Sequence, residues 1–163
     1  MLYAILIAAL VLLDQVVKYL VRTYIPLGGG MPFIPHVLEL TYFQNTGAAF
    51  SLFSDHTWLL TIISAVVAAA IAVVLLKRLV KHPFGVLSLS LVLAGAVGNL
   101  IDRFFFGFVT DMFQTLFIRF AVFNVADVCV VCGGIAFVIY VLFFSDELEK
   151  QKETDDDTHP TDG

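Results

Sequence analysis

Four long apolar stretches limit what this chain can fold into. They occupy residues 2–21, 58–76, 84–101 and 121–144. Each is close to the roughly 20 residues that a helix rising about 1.5 Å per residue needs to cross a hydrocarbon core about 30 Å thick. The composition agrees, since 60% of the residues are hydrophobic, 14% are charged and the mean hydropathy is +0.93. We therefore predict a membrane α-helical protein with four transmembrane helices.

The basic residues predict the orientation of these spans. Three of the five residues 77–81, in the link between the second and third spans, are Lys or Arg, whereas residues 23–56 contain neither. Because basic loops stay on the cytoplasmic side, we predict that both termini are cytoplasmic, an N-in/C-in topology. A cleaved signal peptide is the alternative for the first span. That stretch lacks a basic start, however, and it contains Asp14 and Lys18.

The chain ends in an acidic segment. Eight of the 14 acidic residues follow Ser145, in a stretch without apolar periodicity. We predict a single membrane domain over residues 1–145 and a disordered cytoplasmic tail over residues 146–163. The rest of the chain has seven basic and six acidic residues. No basic patch therefore indicates a nucleic-acid partner.

Two segments between the spans are predicted to lie on the outer surface of the membrane. Residues 25–44 begin rich in Gly and Pro and then partly alternate between apolar and polar residues, a pattern that favours a short strand or hairpin. Residues 103–120 are dense with Phe. We expect this aromatic-rich segment to lie in the membrane interface, where aromatic side chains are favoured.

Polar side chains inside the spans fall at one level of the membrane. In the predicted topology the outer half holds Asp14, Lys18, Asn99, Asp102, Arg103, Asn124 and Asp127. The inner half of the spans holds almost no polar side chains. A small transport or channel subunit needs polar groups through the whole thickness, so we favour chemistry at the outer surface. A non-catalytic scaffold that uses the polar cluster structurally is a second alternative.

The motifs of several hydrolase classes are absent from the sequence, which limits the reactions that it can catalyse. The sequence has no G-x-S-x-G or H-E-x-x-H motif, and its four His lie in loops, at a span edge or in the tail, so serine or zinc hydrolysis is not indicated. We expect no metal and no cofactor. Cys129 and Cys132 have redox spacing. They are interpreted as small residues of a membrane helix, with a redox pair as the alternative. Asp and Asn side chains therefore remain as the candidates for catalysis.

Five blocks of the sequence resemble the signature motifs of the lipoprotein signal peptidases, also called signal peptidase II. The blocks are DQVVK at 14–18, FQNTGAAFS at 43–51, AGAVGNLIDR at 94–103, GFVTDM at 107–112 and FNVADV at 123–128. The resemblance extends in order from Asp14 to about Cys132. One departure is visible, because Thr110 and Met112 stand where the family more often has a second Val and a Phe. Neither replaces the carboxylate of Asp111.

The resemblance implies that Asp111 and Asp127 form an aspartyl protease dyad. Two adjacent carboxylates share a proton near neutral pH, so that one can activate water while the other protonates the scissile carbonyl. Residues 123–126 are predicted to be helical, which places Asp127 one to two turns inside the fourth span rather than at its N-cap.

The resemblance also implies the substrate. The family removes the signal peptide from bacterial prolipoproteins and cleaves before a Cys that already carries diacylglycerol, at the outer leaflet of the cytoplasmic membrane. A substrate with acyl chains has to be met at the lipid interface. We expect the enzyme to act as a monomer in contact with membrane lipids.

Three polar residues of the third and fourth spans are expected to support the dyad. Asn124 lies three residues before Asp127 and can hydrogen-bond a carboxylate or the substrate backbone. Asn99 and Arg103 share a helix face because they are four residues apart. Arg103 is either a clamp on substrate carbonyls or a counter-ion for Asp102 or for lipid headgroups.

Four more residues complete the candidate site. Asp14 and Lys18 are four residues apart and most simply neutralise each other, which is a structural role. Asn45 and Gly47 match the outer-loop motif of the family and are expected to line the mouth of the pocket, with an ordinary turn as the alternative. The small residues within 94–98 are expected to let helices approach closely.

Overall fold

Four helices and three strands make up the described part of the chain. The computed structural model describes residues 1–47 and 57–156, with side chains described as far as residue 144. The helices are α1 (Leu2–Tyr24), α2 (Thr57–Leu76), α3 (Pro83–Phe106) and α4 (Val125–Asp156), and the strands are β1 (Gly30–Ile34), β2 (Leu38–Asn45) and β3 (Val109–Thr115). Each helix contains a stretch long and apolar enough to cross a membrane. The predicted fold, four apolar helices with a small β-containing region, is confirmed.

Helix α3 lies at the centre of the bundle, since α1, α2 and α4 all pack against it. Two glycines allow this close packing. A Cβ atom on Gly95 would collide with the carbonyl oxygen of Ala126 on α4, and one on Gly98 would lie 2.6 Å from Asp14 Oδ2 on α1. The prediction that small residues within 94–98 permit close helix approach is confirmed.

The strands form one antiparallel sheet in the order β1-β2-β3. The hairpin predicted within residues 25–44 is present as β1 and β2. Strand β3, which pairs with β2 so that Phe43 lies opposite Asp111, was predicted only as part of an aromatic-rich segment. The sheet is attached to α1 by an apolar cluster of Val21, Ile25, Tyr42 and Met112.

Helix α4 begins later than the sequence predicted. It starts at Val125, and Phe123 before it forms an isolated bridge with Phe113 of β3. Asn124 occupies the N-cap position, because its backbone carbonyl accepts the Val128 N–H at 3.3 Å and its side-chain Oδ1 accepts the Asp127 N–H at 2.9 Å. The prediction that residues 123–126 are helical is therefore wrong for residues 123 and 124 and correct for 125 and 126, and Asp127 lies in the first turn of α4.

Two predictions concern parts of the chain where little or nothing is described. Helix α4 continues beyond its apolar span to Asp156. The division into a membrane domain over residues 1–145 and a disordered tail over residues 146–163 stays a prediction. The last four residues of the FQNTGAAFS block, 48–51, lie outside the described residues.

Candidate active site

Asp111 is a buried carboxylate on strand β3. Only 1% of Asp111 is exposed to solvent. Side chains alternate along a strand, so Asp111 and Val109 point into the same cavity, whereas Thr110 between them faces α1. Both of its oxygens accept hydrogen bonds from side-chain amides. Asn45 Nδ2 donates to Oδ2 at 3.0 Å, and Asn124 Nδ2 donates to Oδ1 at 2.6 Å. These two bonds determine the plane of the carboxylate.

Asp127 is held by the start of α4 and by α3. The backbone N–H of Asn124 donates to Asp127 Oδ2 at 3.1 Å, while Asn124 Oδ1 accepts the N–H of Asp127. This reciprocal arrangement resembles a capping box, in which the first and fourth residues of a helix start satisfy each other's N–H groups. Asn99 Nδ2 of α3 donates to Asp127 Oδ1 at 2.7 Å. The carboxylate is therefore fixed from two helices.

Asn124 joins the two carboxylates. Its side-chain amide contacts Asp111 and its backbone N–H contacts Asp127. Both acids line one cavity of about 410 Å³. The other lining residues are Asn45, Asn99, Arg103, Val109, Phe120, Ala121, Val122, Phe123, Val128, Val130, Val131 and Cys132. The structure thus brings the two predicted carboxylates together on one largely apolar cavity, although Asp111 lies on a strand and Asp127 on a helix.

The electrostatic environment favours a proton on Asp111. Its pKa is raised from the ordinary value of 3.8 to about 7, mainly by burial and also by the nearby charge of Asp127. The amide hydrogen bonds from Asn124 and Asn45 and the charge of Lys18 oppose this rise. Each carboxylate oxygen accepts one described hydrogen bond, so a lone pair on each is left for a proton or for water.

Lys18 organises the charges behind the cavity. Its ammonium is 0% exposed and lies 3.0 Å from Asp14 Oδ2 and 3.5 Å from Asp102 Oδ2. It also donates to Asn99 Oδ1 at 2.9 Å. Because Asn99 accepts from Lys18 through its oxygen, its nitrogen must face Asp127. The prediction that Asp14 and Lys18 pair with each other is confirmed. Asn99 connects this pair to Asp127, because it accepts from Lys18 and donates to Asp127.

Asp14 also reaches the start of α4. Its Oδ1 accepts the backbone N–H of Ala126 at 2.9 Å. The first N–H groups of a helix have no partner within the helix, and a carboxylate is favourable at this end. Asp14 of α1 therefore satisfies an N–H of the same helix start that carries Asp127.

Arg103 lines the cavity with the two aspartates. Within the described residues its Nη1 contacts Ser64 Oγ at 3.5 Å, and its buried Nε has no hydrogen-bond partner. Asp102 instead pairs with Lys18 and with Arg22 of α1, 3.5 Å from Arg22 Nη1. Of the interpretations left open for Arg103, the counter-ion for Asp102 does not match these contacts. The substrate clamp and the headgroup contact stay open.

Asn45 and Gly47 have separate roles in the geometry. Asn45 ends β2 and lines the cavity. Gly47 is not among the lining residues, but its backbone N–H donates to Asn45 Oδ1 at 3.0 Å. This bond keeps the Asn45 oxygen occupied and directs its Nδ2 towards Asp111. The pocket-mouth interpretation therefore fits Asn45, and the turn interpretation fits Gly47.

Sequence reasoning missed the residues that attach β3 to the helices. Thr110 N–H donates to Asp102 Oδ2 at 2.8 Å, and Thr110 Oγ1 accepts from Arg22 Nη1 at 2.8 Å. The Arg22 guanidinium also lies 4.4 Å from the centre of the Phe106 ring. Asp102 was visible as a buried charge at the right depth. Nothing in the sequence, however, signalled a contact between Arg22 and Thr110, which are 88 residues apart.

Comparison with known families agrees with this geometry. A family model described as signal peptidase (SPase) II matches residues 6–143, from the beginning of α1 to the end of the apolar part of α4. The chain belongs to the signal peptidase II family. The resemblance inferred from the five sequence blocks is confirmed.

Relatives of signal peptidase II type cover most of the chain. The lipoprotein signal peptidase of Enterococcus faecalis is 44% identical over 140 residues, which is 86% of this chain and 87% of the relative. The protein of the same name from Streptococcus pneumoniae is 43% identical over 85% of this chain and 91% of its own. The one from Clostridioides difficile is 42% identical over 88% of this chain and 97% of its own.

Two solved structures have a similar fold. One, titled a bacterial membrane enzyme structure by the in meso method at 2.3 Å resolution, superposes with a TM-score of 0.81 at 32% identity and covers 86% of this chain and 87% of its own. Another, whose title differs only in the resolution of 1.9 Å, superposes with a TM-score of 0.79 at 32% identity. It covers 88% of this chain and 94% of its own. The fold of this signal peptidase II chain is thus that of a membrane enzyme.

Proposed function

We propose that this chain is an aspartic endopeptidase that removes the signal peptide from diacylglyceryl-modified bacterial prolipoproteins, cleaving before the lipidated Cys. Membership in a peptidase family supports the hydrolysis of a peptide bond. The relatives named lipoprotein signal peptidase support the substrate class. The observation that carries the aspartic mechanism is the contact of Asn124 with both Asp111 and Asp127 at one cavity.

The pair begins the reaction with one proton between its members. The ionised carboxylate accepts a proton from a water molecule as the water oxygen attacks the scissile carbonyl carbon. The protonated carboxyl gives its proton to the carbonyl oxygen, which would otherwise carry a negative charge. A pKa of about 7 for Asp111 lets the pair hold this proton at neutral pH. We assign the roles of base and acid to the pair as a whole, because in this proposal one proton is shared between the two carboxyls.

Collapse of the tetrahedral intermediate returns the pair to its starting state. The carboxyl that took the proton from water gives it to the departing amine nitrogen as the C–N bond breaks. The other carboxylate recovers the proton from the intermediate's hydroxyl as the C=O bond re-forms. The amide donors Asn45, Asn99 and Asn124 hold both carboxylates in place throughout. Positioning of this kind lowers the barrier because no reorganisation is needed during the reaction.

The cavity suits a substrate that carries acyl chains. Its walls beside the aspartates are mostly Val and Phe side chains, which favour hydrocarbon over water. A neighbouring cavity of about 690 Å³ shares Asn45 and residues 120–122 with it. The two together offer space on both sides of a scissile bond. Both carboxylates come from one chain, so the proposal requires only a monomer.

Arg103 is proposed to bind substrate at this cavity. It is the cation among the lining residues, and its Nε has no described partner. A guanidinium in this position can donate to a peptide carbonyl or to the ester oxygens of a diacylglyceryl group. We propose the peptide carbonyl, because it lies next to the bond that the aspartates attack.

We propose that the aspartates face the outer leaflet of the bacterial cytoplasmic membrane, in a multi-pass protein with both ends in the cytoplasm. The basic residues of 77–81 support this orientation, since they lie at the end of the bundle away from Asp111. Membrane lipids would then border the cavity from the side. A prolipoprotein embedded in the outer leaflet could enter without leaving the bilayer.

The alternatives have less support. A transport or channel subunit would need polar groups across the bundle, but at the opposite end Ser88 and Ser90 bond carbonyls of their own helix. A non-catalytic scaffold does not need two carboxylates that line the same cavity. The family comparisons do not favour either alternative.

Substitution of each aspartate tests the proposal. Asp111→Asn and Asp127→Asn keep the size of the side chain but replace one of its two accepting oxygens with an amide group, so the pair can no longer share a proton. We expect each to reduce cleavage of a lipidated precursor, followed by gel shift, by about 10²–10⁴-fold or more. Unlipidated precursor run beside it should be cleaved poorly by the unaltered enzyme.

Controls separate loss of catalysis from loss of folding. Both variants should show the thermal unfolding midpoint of the unaltered protein within a few degrees. Cys132→Ala, which also lies on the cavity but carries no acid, should retain activity. Cleavage at the normal rate by both Asn variants would end the aspartic proposal, and equal cleavage of both precursors would end the proposed substrate class.

A further inference from the structure

A third cavity lies at the end of the bundle away from the aspartates. It has a volume of about 800 Å³, within the range of ligand cavities in proteins. It is bordered by the first turns of α1 and α3 and by the last turns of α2. Its walls are mainly aliphatic, with Ile7, Leu75 and Leu93 from the three helices. Because α1, α2 and α3 are apolar enough to span a membrane, lipid would border the cavity there.

The mouth of this cavity is positively charged. Arg78 and Lys81, in the link between α2 and α3, are exposed and belong to the lining. Among the residues whose side chains the structure describes, none of those lining the cavity is Asp or Glu. No described carboxylate therefore pairs with the two cations within the cavity. Basic pockets between transmembrane helices are the usual binding sites for anionic lipid headgroups.

The backbone at Arg78 is in the left-handed conformation. Arg78 N–H donates to the Leu75 carbonyl and Leu79 N–H donates to the Val74 carbonyl, both at 3.1 Å, which is the Schellman pattern that ends a helix. Arg78 itself has a φ of 53°. Glycine adopts this left-handed conformation freely, and an Arg does so only against a conformational preference. The side chain at this position could therefore be replaced by Gly without backbone strain.

We propose that this cavity binds an anionic glycerophospholipid, with its phosphate at Arg78 and Lys81 and an acyl chain between α1, α2 and α3. The charge of the mouth selects the phosphate diester with an anionic headgroup over a zwitterionic one. The aliphatic walls accept the chain. The site is separate from the aspartate cavity, and the two share no lining residue.

Lipid titration of the purified full-length protein, followed by native mass spectrometry, tests this site. The probes are phosphatidylglycerol and phosphatidylcholine with identical acyl chains. We expect phosphatidylglycerol to bind more tightly, and Lys81→Gln to weaken it by about fivefold without changing phosphatidylcholine binding. Equal affinity of the two lipids for the unaltered protein would overturn the proposal.

Arg78→Gly provides a variant that should not disturb folding. Because Gly accepts the left-handed backbone, this variant should unfold at the same or a higher temperature. It should nevertheless bind phosphatidylglycerol about fivefold more weakly. Lys77→Gln is the matched control, since Lys77 lies in the same link but outside the lining. It should leave the preference unchanged. An equal loss in Lys77→Gln would indicate general surface charge and would contradict a defined site.

Discussion

The two ends of the helical bundle are held together by different forces. At the aspartate end, buried charges and amides from α1, α3, β3 and α4 contact one another, with Lys18 between Asp14, Asp102 and Asn99. At the other end the described contacts between elements are mainly apolar or aromatic, with one hydrogen bond from the Tyr3 hydroxyl to the Pro83 carbonyl at 3.3 Å. There His82 stacks on Tyr140 and Phe144, and the serines bond only their own helix.

This difference shows where the protein needs a defined geometry. Apolar packing in a membrane tolerates many small adjustments, because lipid and side chain are equally apolar. A buried ionic network tolerates few, since each group left unpaired keeps its desolvation penalty. The network lies directly behind Asp111 and Asp127, so the two ends should respond very differently to the removal of one polar group.

Removal of the Lys18 charge should give the largest effect. Lys18→Met keeps the length of the side chain but leaves Asp14 without its cation and Asp102 with only Arg22. We expect the free energy of unfolding to fall by about 3–5 kcal/mol. Cleavage should fall as well, because Asn99 loses the contact that orients it towards Asp127. Unfolding in mixed micelles measures the first effect.

A matched substitution at the other end sharpens this comparison. Ser88→Ala removes a buried hydroxyl that donates to the Phe84 carbonyl of its own helix. Here we expect a change of less than about 1 kcal/mol, because the carbonyl keeps its helical partner. If Lys18→Met were no more destabilising than Ser88→Ala, the two ends would not differ as described.

Thr110 should give a smaller effect than Lys18. Thr110→Val keeps the shape of the side chain but removes the oxygen that accepts from Arg22, whereas Thr110→Ser retains an acceptor. We expect Thr110→Val to lower the free energy of unfolding by about 1 kcal/mol. The value of kcat should fall less than about tenfold with KM unchanged, since Asp111 is the next residue on β3. Identical kinetics and stability of the Val and Ser variants would show that the hydroxyl does not position the strand.

The overall fold was largely predictable because bilayer thickness dictates the length of an apolar helix. All four spans and the β1-β2 hairpin followed from hydropathy and alternation. The start of α4 did not, because Phe123 and Val125 are apolar on both sides of Asn124, and hydropathy cannot show that a side-chain cap ends the extended segment there. Strand β3 was missed because its Phe residues suggested only an interfacial position.

The site was predictable in its residue types but not in its connections. Membrane burial of Asp14, Lys18 and Asp127 was itself a signal, since such residues are rarely kept without use. The amide orientations of Asn45 and Asn99 depend on contacts with distant elements. No sequence spacing encodes such contacts.

The shifted pKa of Asp111 also has a consequence for stability. In the folded protein its pKa is about 7, above the ordinary value of 3.8. Between these values the folded protein binds more protons at this group than the unfolded chain does. The contribution of Asp111 to stability is therefore fully present below the lower value and is lost as the pH rises to about 7. Cleavage should decline above the same pH, because the shared proton is then released.

The central claim is that Asp111 and Asp127 hold one proton in common, and infrared difference spectroscopy of the protonated carboxyl band tests it most directly. In the unaltered protein a carboxyl should lose its proton near pH 7, as should cleavage activity. Asp127→Asn removes the neighbouring negative charge, so the remaining carboxyl should titrate at a lower pH, and Asp111→Asn should remove the band assigned to Asp111. A protein in which no carboxyl titrates above about pH 5, or in which Asp127→Asn leaves the midpoint unchanged, would contradict the shared proton.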